Sequence, residues 1–309
     1  MYSSRRLLKS GDHTAEQAPA SERTRVPRTF WVGIAAVVVY VFFAAVLGTL
    51  VGDLAGGDTA ELALSHLIPL PIAIALGLLF VFRWSGWDVR LVFRETPTPR
   101  LMPRRLWLVS IPVLMVALAL SQVPFISWGD QVAGVVVVVV LATTLVGIGE
   151  ELFLRGILLE SLRARHGELV TLLGTSAVFG LAHVVGSVWA GVPPGAILFQ
   201  VTFLMMNGSL LYWVRRVTGR LWVAMAVHAL TDCLLYLSSG ATSTSEALMQ
   251  QNETDMSTMW PAAVLQTLLI VASLGGLISV IREDKRTRST RSARHDGPAA
   301  AAPTEGRRS

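Results

Sequence analysis

Eight runs of about 20 apolar residues, each long enough as a helix to cross roughly 30 Å of hydrocarbon, constrain this chain more than any other feature. They lie at approximately Phe30 to Val51, Leu62 to Phe82, Leu106 to Val123, Val132 to Leu154, Leu169 to Val185, Ala196 to Val214, Leu221 to Leu237 and Ala262 to Ile281. In lipid the backbone must satisfy its own hydrogen bonds, so even the six consecutive valines Val135 to Val140 read as helix. The expected fold is an all-α polytopic bundle of about eight transmembrane helices. Its transmembrane domain should cover 29–281, between an N-tail over 1–28 and a basic C-tail over 282–309, both disordered by composition. A hydrophobic content of 52%, a charged content of 15% and a mean hydropathy of +0.56 agree with a chain that lives mostly in a multi-pass membrane setting.

The placement of charge sets the orientation. Lys and Arg fall in the two tails and after the second, fourth and sixth runs, whereas the alternate connections carry Asp53, Asp58, Glu61, Asp130, Glu246, Glu253 and Asp255. By the positive-inside rule both termini are expected in the cytoplasm, with the first run an uncleaved signal anchor of the cytoplasmic membrane. The net charge of +5 sits in loops and tails, which argues against nucleic acid as a partner. The arginine-rich stretch Arg83 to Arg105 reads as a solvated loop on anionic lipid headgroups. A single cysteine, Cys233, excludes an internal disulfide and reads as a small buried hydrophobe.

Ionisable groups at membrane depth are costly and mark functional sites by default. Three runs carry them: Glu150, Glu151 and Arg155 in the fourth, His183 in the fifth, and His228 and Asp232 in the seventh. At 1.5 Å per residue they lie roughly 10 to 20 Å from the basic boundary, so their depths overlap. Glu151 and Arg155 stand at i and i+4 in the order that favours an ion pair, while Glu150 is rotated about 100° away on an α-helix and is free to face a site. His228 and Asp232 share a face at the same spacing, and Phe179 precedes His183 by one turn. Gly147, Gly149, Gly156, Gly174 and Gly180 should let the fourth and fifth helices approach closely. His13, His66, His166 and His295 read as surface residues.

These residues resemble the three ordered motifs of the CPBP family of intramembrane proteases, which includes the type II CAAX prenyl proteases and the Abi proteins. The stretch from Glu150 to Arg155 matches EExxxR, Phe179 to His183 matches FxxxH, and His228 to Asp232 matches HxxxN/D. The prenyl proteases mostly carry Asn where this chain has Asp232. The resemblance covers approximately 132–237 and implies an endopeptidase acting on a peptide or membrane-protein substrate near the cytoplasmic side. Glu150 would activate water with help from His183, and His228 and Asp232 would bind that water or stabilise the oxyanion. Glu151, Arg155 and Phe179 would support them. Whether a metal joins is open: HExxH is absent and metal-free water activation is the preferred reading, while Glu150, His183, His228 and Asp232 leave Zn2+ possible. Peptide maturation and bacteriocin immunity are the roles such relatives suggest, and the alternative is a non-proteolytic scaffold, immunity or transporter-like protein that keeps the site for binding. A rhomboid-like serine site fails because Ala177 breaks the GxSG pattern at Gly174, and an aspartyl GxGD site at Gly147 to Glu150 lacks its second aspartate.

Overall fold

The computed structural model describes residues 25–95, 103–240 and 260–295, with side chains described to residue 289 in the last stretch. Among these residues there is no strand, only an isolated antiparallel bridge between Arg94 and Arg220. Among the described residues, eight helices are long and apolar enough to cross a membrane, as the hydropathy pattern requires. They are α1 (Phe30–Gly52), α2 (Asp58–Trp84), α3 (Arg105–Phe125), α4 (Ala133–Arg163), α5 (Glu168–Trp189), α6 (Pro194–Thr218), α7 (Leu221–Ser239) and α8 (Trp260–Ser289). The protein is an all-α, multi-pass bundle.

Three of these helices are interrupted in ways that matter for the site. α2 is interrupted at Ile68, ahead of Pro69, whose ring cannot sit inside a continuous helix. α5 breaks at His183, between Glu168–Ala182 and Val184–Trp189. α4 widens into a π-helical stretch over Glu151–Leu158, starting immediately after Glu150. Such widening inserts an extra residue per turn and re-aims side chains.

The closest helix pairings are α4 with α7 and α5 with α6. Small residues set them: a Cβ at position 147 would lie 2.8 Å from the Met225 carbonyl oxygen, and one at 180 would lie 2.6 Å from that of Val201. The expectation that the glycines join α4 to α5 is therefore corrected. Gly147 serves α7, Gly149 faces Tyr40 of α1, Gly156 faces Val92, Gly180 serves α6, and Gly174 alone meets Leu162 at the end of α4.

Two expectations at the basic end are also corrected. The part of the Arg83 to Arg105 stretch that is described is not a solvated loop: Ser85, Trp87, Val92 and Glu95 are buried, and a short helix at Val89–Phe93 packs beneath α4. Arg83 itself is exposed, and 96–102 lie outside the described residues. The C-terminal helix runs on to His295, past the expected end at 281. Glu283 bonds Arg105 at 2.7 Å and Arg216 at 2.5 Å. Asp284 accepts from the backbone N–H groups of Glu168 and Leu169 at 3.0 and 3.1 Å, capping α5 from another helix. The N-tail before residue 25 and the C-tail after residue 295 lie outside the described residues.

The reason is charge pairing. Arg163 meets Glu95 at 2.9 Å, Glu168 at 2.8 Å and Glu160 at 3.4 Å, and Arg215 meets Glu160 at 3.2 Å and Glu95 at 3.4 Å. Arg215 also donates to the Leu91 carbonyl at 2.8 Å. Burial pushes the Glu95 carboxyl up, but the Arg163 and Arg215 guanidiniums overcome this and hold it below the ordinary carboxylate value. Acidic partners allow these arginines to leave water, and the loop folds inward with them.

Candidate active site

α4, α5 and α7 bring the motif residues to one place. Glu151 is fully buried and receives Arg155 Nη1 at 2.8 Å, one turn along the same helix. The second arm of Arg155 donates to the Gly208 carbonyl of α6 at 3.0 Å, and its guanidinium lies over the Phe179 ring at 4.3 Å. Gly208 has room for this because α5 and α6 are in close contact: a Cβ there would sit 3.3 Å from Arg155 Nη2 and 3.0 Å from the Ser176 backbone. Phe179 in turn packs edge-on against both His183 and His228, at centroid separations of 5.3 and 5.7 Å. The ring thus spaces the two imidazoles.

Each imidazole is oriented by a second partner. His183 Nδ1 bonds the Phe179 carbonyl at 2.9 Å, which makes Nδ1 the protonated nitrogen and turns Nε2 toward Glu150 at 3.9 Å. His228 Nδ1 donates to Glu151 Oε1 at 3.1 Å. Its Nε2 then faces Asp232 at 3.4 Å and Glu150 Oε2 at 4.0 Å.

The two neighbouring glutamates differ in access. The Glu150 side chain keeps 13% exposure, and His183 and Asp232 keep 18% and 16%, whereas Glu151 and Arg155 keep none. Glu151 is a sealed anchor for Arg155 and His228. Glu150 is the accessible acid, with one oxygen toward each imidazole. At 3.9 and 4.0 Å those pairs are too long for direct hydrogen bonds and close enough for one water or one substrate oxygen to bridge them.

A metal fits this arrangement poorly. Among the described residues no three of His, Cys, Asp or Glu could hold a metal ion together. His228 Nε2 faces Asp232 and Glu150 while its Nδ1 is held by Glu151, and His183 Nε2 faces Glu150 through the other carboxylate oxygen.

Two further side chains from outside the motifs face this region. Tyr40 of α1 is buried against Gly149. His66 of α2, expected at the surface, is half-buried, bonds Ser65 Oγ at 2.8 Å, and lies within electrostatic reach of Asp232. No sequence pattern marks either residue, since single polar groups in apolar runs resemble interfacial side chains. His166 is exposed as expected, and the side chains of His13 and His295 lie outside the described residues. Cys233 is half-buried.

Residues 132–234 match the family described as Type II CAAX prenyl endopeptidase Rce1-like. No curated protein and no solved structure matches the chain. The matched segment supplies every motif residue of the cluster, and this supports the CPBP/CAAX intramembrane protease family for the protein.

Proposed function

We propose that the protein is an intramembrane endopeptidase that hydrolyses a peptide bond by glutamate-activated water, at the end of the bundle where the basic loops lie. The observation that carries this reading is the position of Glu150, the accessible carboxylate of the adjacent pair, between two imidazoles at 3.9 and 4.0 Å. A water held there would lose its proton to Glu150 as its oxygen attacks the carbonyl carbon of the scissile bond. The carbonyl oxygen becomes an oxyanion, and a proton on His228 Nε2 would stabilise it, with Asp232 orienting that ring. His183 assists by holding the water against Glu150. As the C–N bond breaks, Glu150 returns the proton to the leaving amine, giving a carboxylic acid and an amine with no acyl-enzyme intermediate.

The positive-inside pattern supports a cytoplasmic placement of this end, with anionic headgroups around exposed Arg83 and the basic helix end at Lys285, Arg286 and Arg288. The substrate is a peptide or membrane-protein segment, and peptide maturation or bacteriocin immunity are the roles this chemistry serves. Asp232 in place of the prenyl proteases' usual Asn adds a negative charge beside the bond to be cut and argues for a substrate range different from theirs. The test is to incubate purified protein in liposomes with a membrane proteome and identify new C-termini, using Glu150→Gln in parallel. Cleavage confined to wild type supports the reading. Equal cleavage by both defeats the assignment of Glu150 as the base, and cleavage by neither favours a non-proteolytic scaffold, immunity or transporter-like protein.

A further inference from the structure

Tyr40 lies near the middle of α1, outside the segment that matches a family, and its side chain is only 3% exposed. A tyrosine at that depth has no headgroup to reach. Its ring packs against Phe153 at 5.2 Å and against the backbone of Gly149. A Cβ at position 149 would stand 3.1 Å from the Tyr40 hydroxyl oxygen, so glycine there gives the phenol passage to the residue immediately before Glu150. Glu150, Asp232 and Glu151 are the carboxylates within electrostatic reach of the phenol. Both Tyr40 Oη and Glu150 Oε2 are buried polar atoms without a hydrogen-bond partner. Phenylalanine would fill the same space without burying an unsatisfied hydroxyl, so the oxygen needs a role.

We infer that Tyr40 is a positioning residue for Glu150. Its O–H donates toward Oε2 of that carboxylate through one shared water, and fixes which oxygen is left to take a proton. The donor comes from α1, so the site is completed by a helix beyond the three that carry the motifs. The consequence for turnover rests on the hydrolytic reading above, whereas the hydrogen bond itself does not.

The experiment uses the full chain in liposomes and has two arms. Infrared difference spectra of wild type against Glu150→Gln isolate the Glu150 carboxyl band, and Tyr40→Phe should displace that band beyond replicate scatter. Incorporating 3-fluorotyrosine at position 40, a stronger donor of nearly the same shape, should displace it in the opposite sense and serves if Tyr40→Phe does not fold. In the second arm, turnover of an internally quenched peptide should fall about tenfold in kcat in Tyr40→Phe, with KM within about twofold and no loss of thermal stability. An unmoved band in both variants overturns the inference, whatever the activity. A displaced band with Glu150→Gln as active as wild type upholds the hydrogen bond and overturns the hydrolytic reading instead.

Discussion

The carboxylate of Glu151 accepts Nδ1 of His228 at 3.1 Å through Oε1, the same oxygen that Arg155 holds at 2.8 Å. One sealed acid therefore fixes the rotamer of an imidazole on a helix remote in sequence and neutralises a fully buried guanidinium. Glu150, beside it in sequence, is freed from structural duty.

The two glutamates should then fail differently. Glu151→Ala leaves Arg155 charged and unpaired in a dry interior, at a cost of about 3–5 kcal/mol, seen as loss of expression or a large drop in thermal stability in detergent. Glu150→Gln keeps a side chain of the same shape and should melt within about 0.5 kcal/mol of wild type while losing turnover. A stable Glu151→Ala protein beside an unfolded Glu150→Gln protein would show the roles to be reversed.

Gly147 should tolerate no side chain. A Cβ there meets Met225 O at 2.8 Å and Ala229 N at 2.9 Å, both backbone atoms that cannot swing aside. Gly147→Val should push α7 from α4 at a cost of about 1–3 kcal/mol and separate His228 from Glu150. Thermal unfolding and turnover measured on the same preparation should both fall; unchanged values would mean that the helices do not touch there.

Acid should loosen the basic end. The Glu95 carboxyl is held below its ordinary value of 4.5 by Arg163 and Arg215, against the effect of burial. Its contribution to stability is complete above that ordinary value and is lost as pH falls through the depressed one. Thermal stability should thus decline on acidification below about pH 4.5, and Glu95→Gln should be less stable at pH 7 by about 1–2 kcal/mol, with a smaller acid dependence. Identical pH profiles for the two proteins would contradict the pairing.

The cap from Asp284 offers a test at α5. Asp284→Ala removes the acceptor for two N–H groups at the helix start and should cost about 1 kcal/mol, read as faster amide exchange at Glu168 and Leu169.

The helices were legible because lipid admits few alternatives: α1, α3 and α7 begin and end within about three residues of the hydropathy runs. α4 was not, since Glu160 and Arg163 lower its hydropathy although their partners keep them within the helix to Arg163. Depth and spacing allowed Glu150, Glu151, Arg155, His183, His228 and Asp232 to meet, and the ordered motifs they form pointed to one site. What spacing could not show was the π-helical widening after Glu150, the Gly208 carbonyl that takes the second arm of Arg155, or the inward turn of Tyr40 and His66. Each depends on contacts between helices distant in the chain, and no short-range pattern encodes them.

Turnover of one identified peptide bond by Glu150→Gln, in liposomes beside wild type, measures most directly whether this carboxylate activates water. The expected result is a loss of at least about 100-fold in kcat with the fold intact. A folded Glu150→Gln protein that cuts the same bond at the wild-type rate would contradict the assignment of Glu150 as the base.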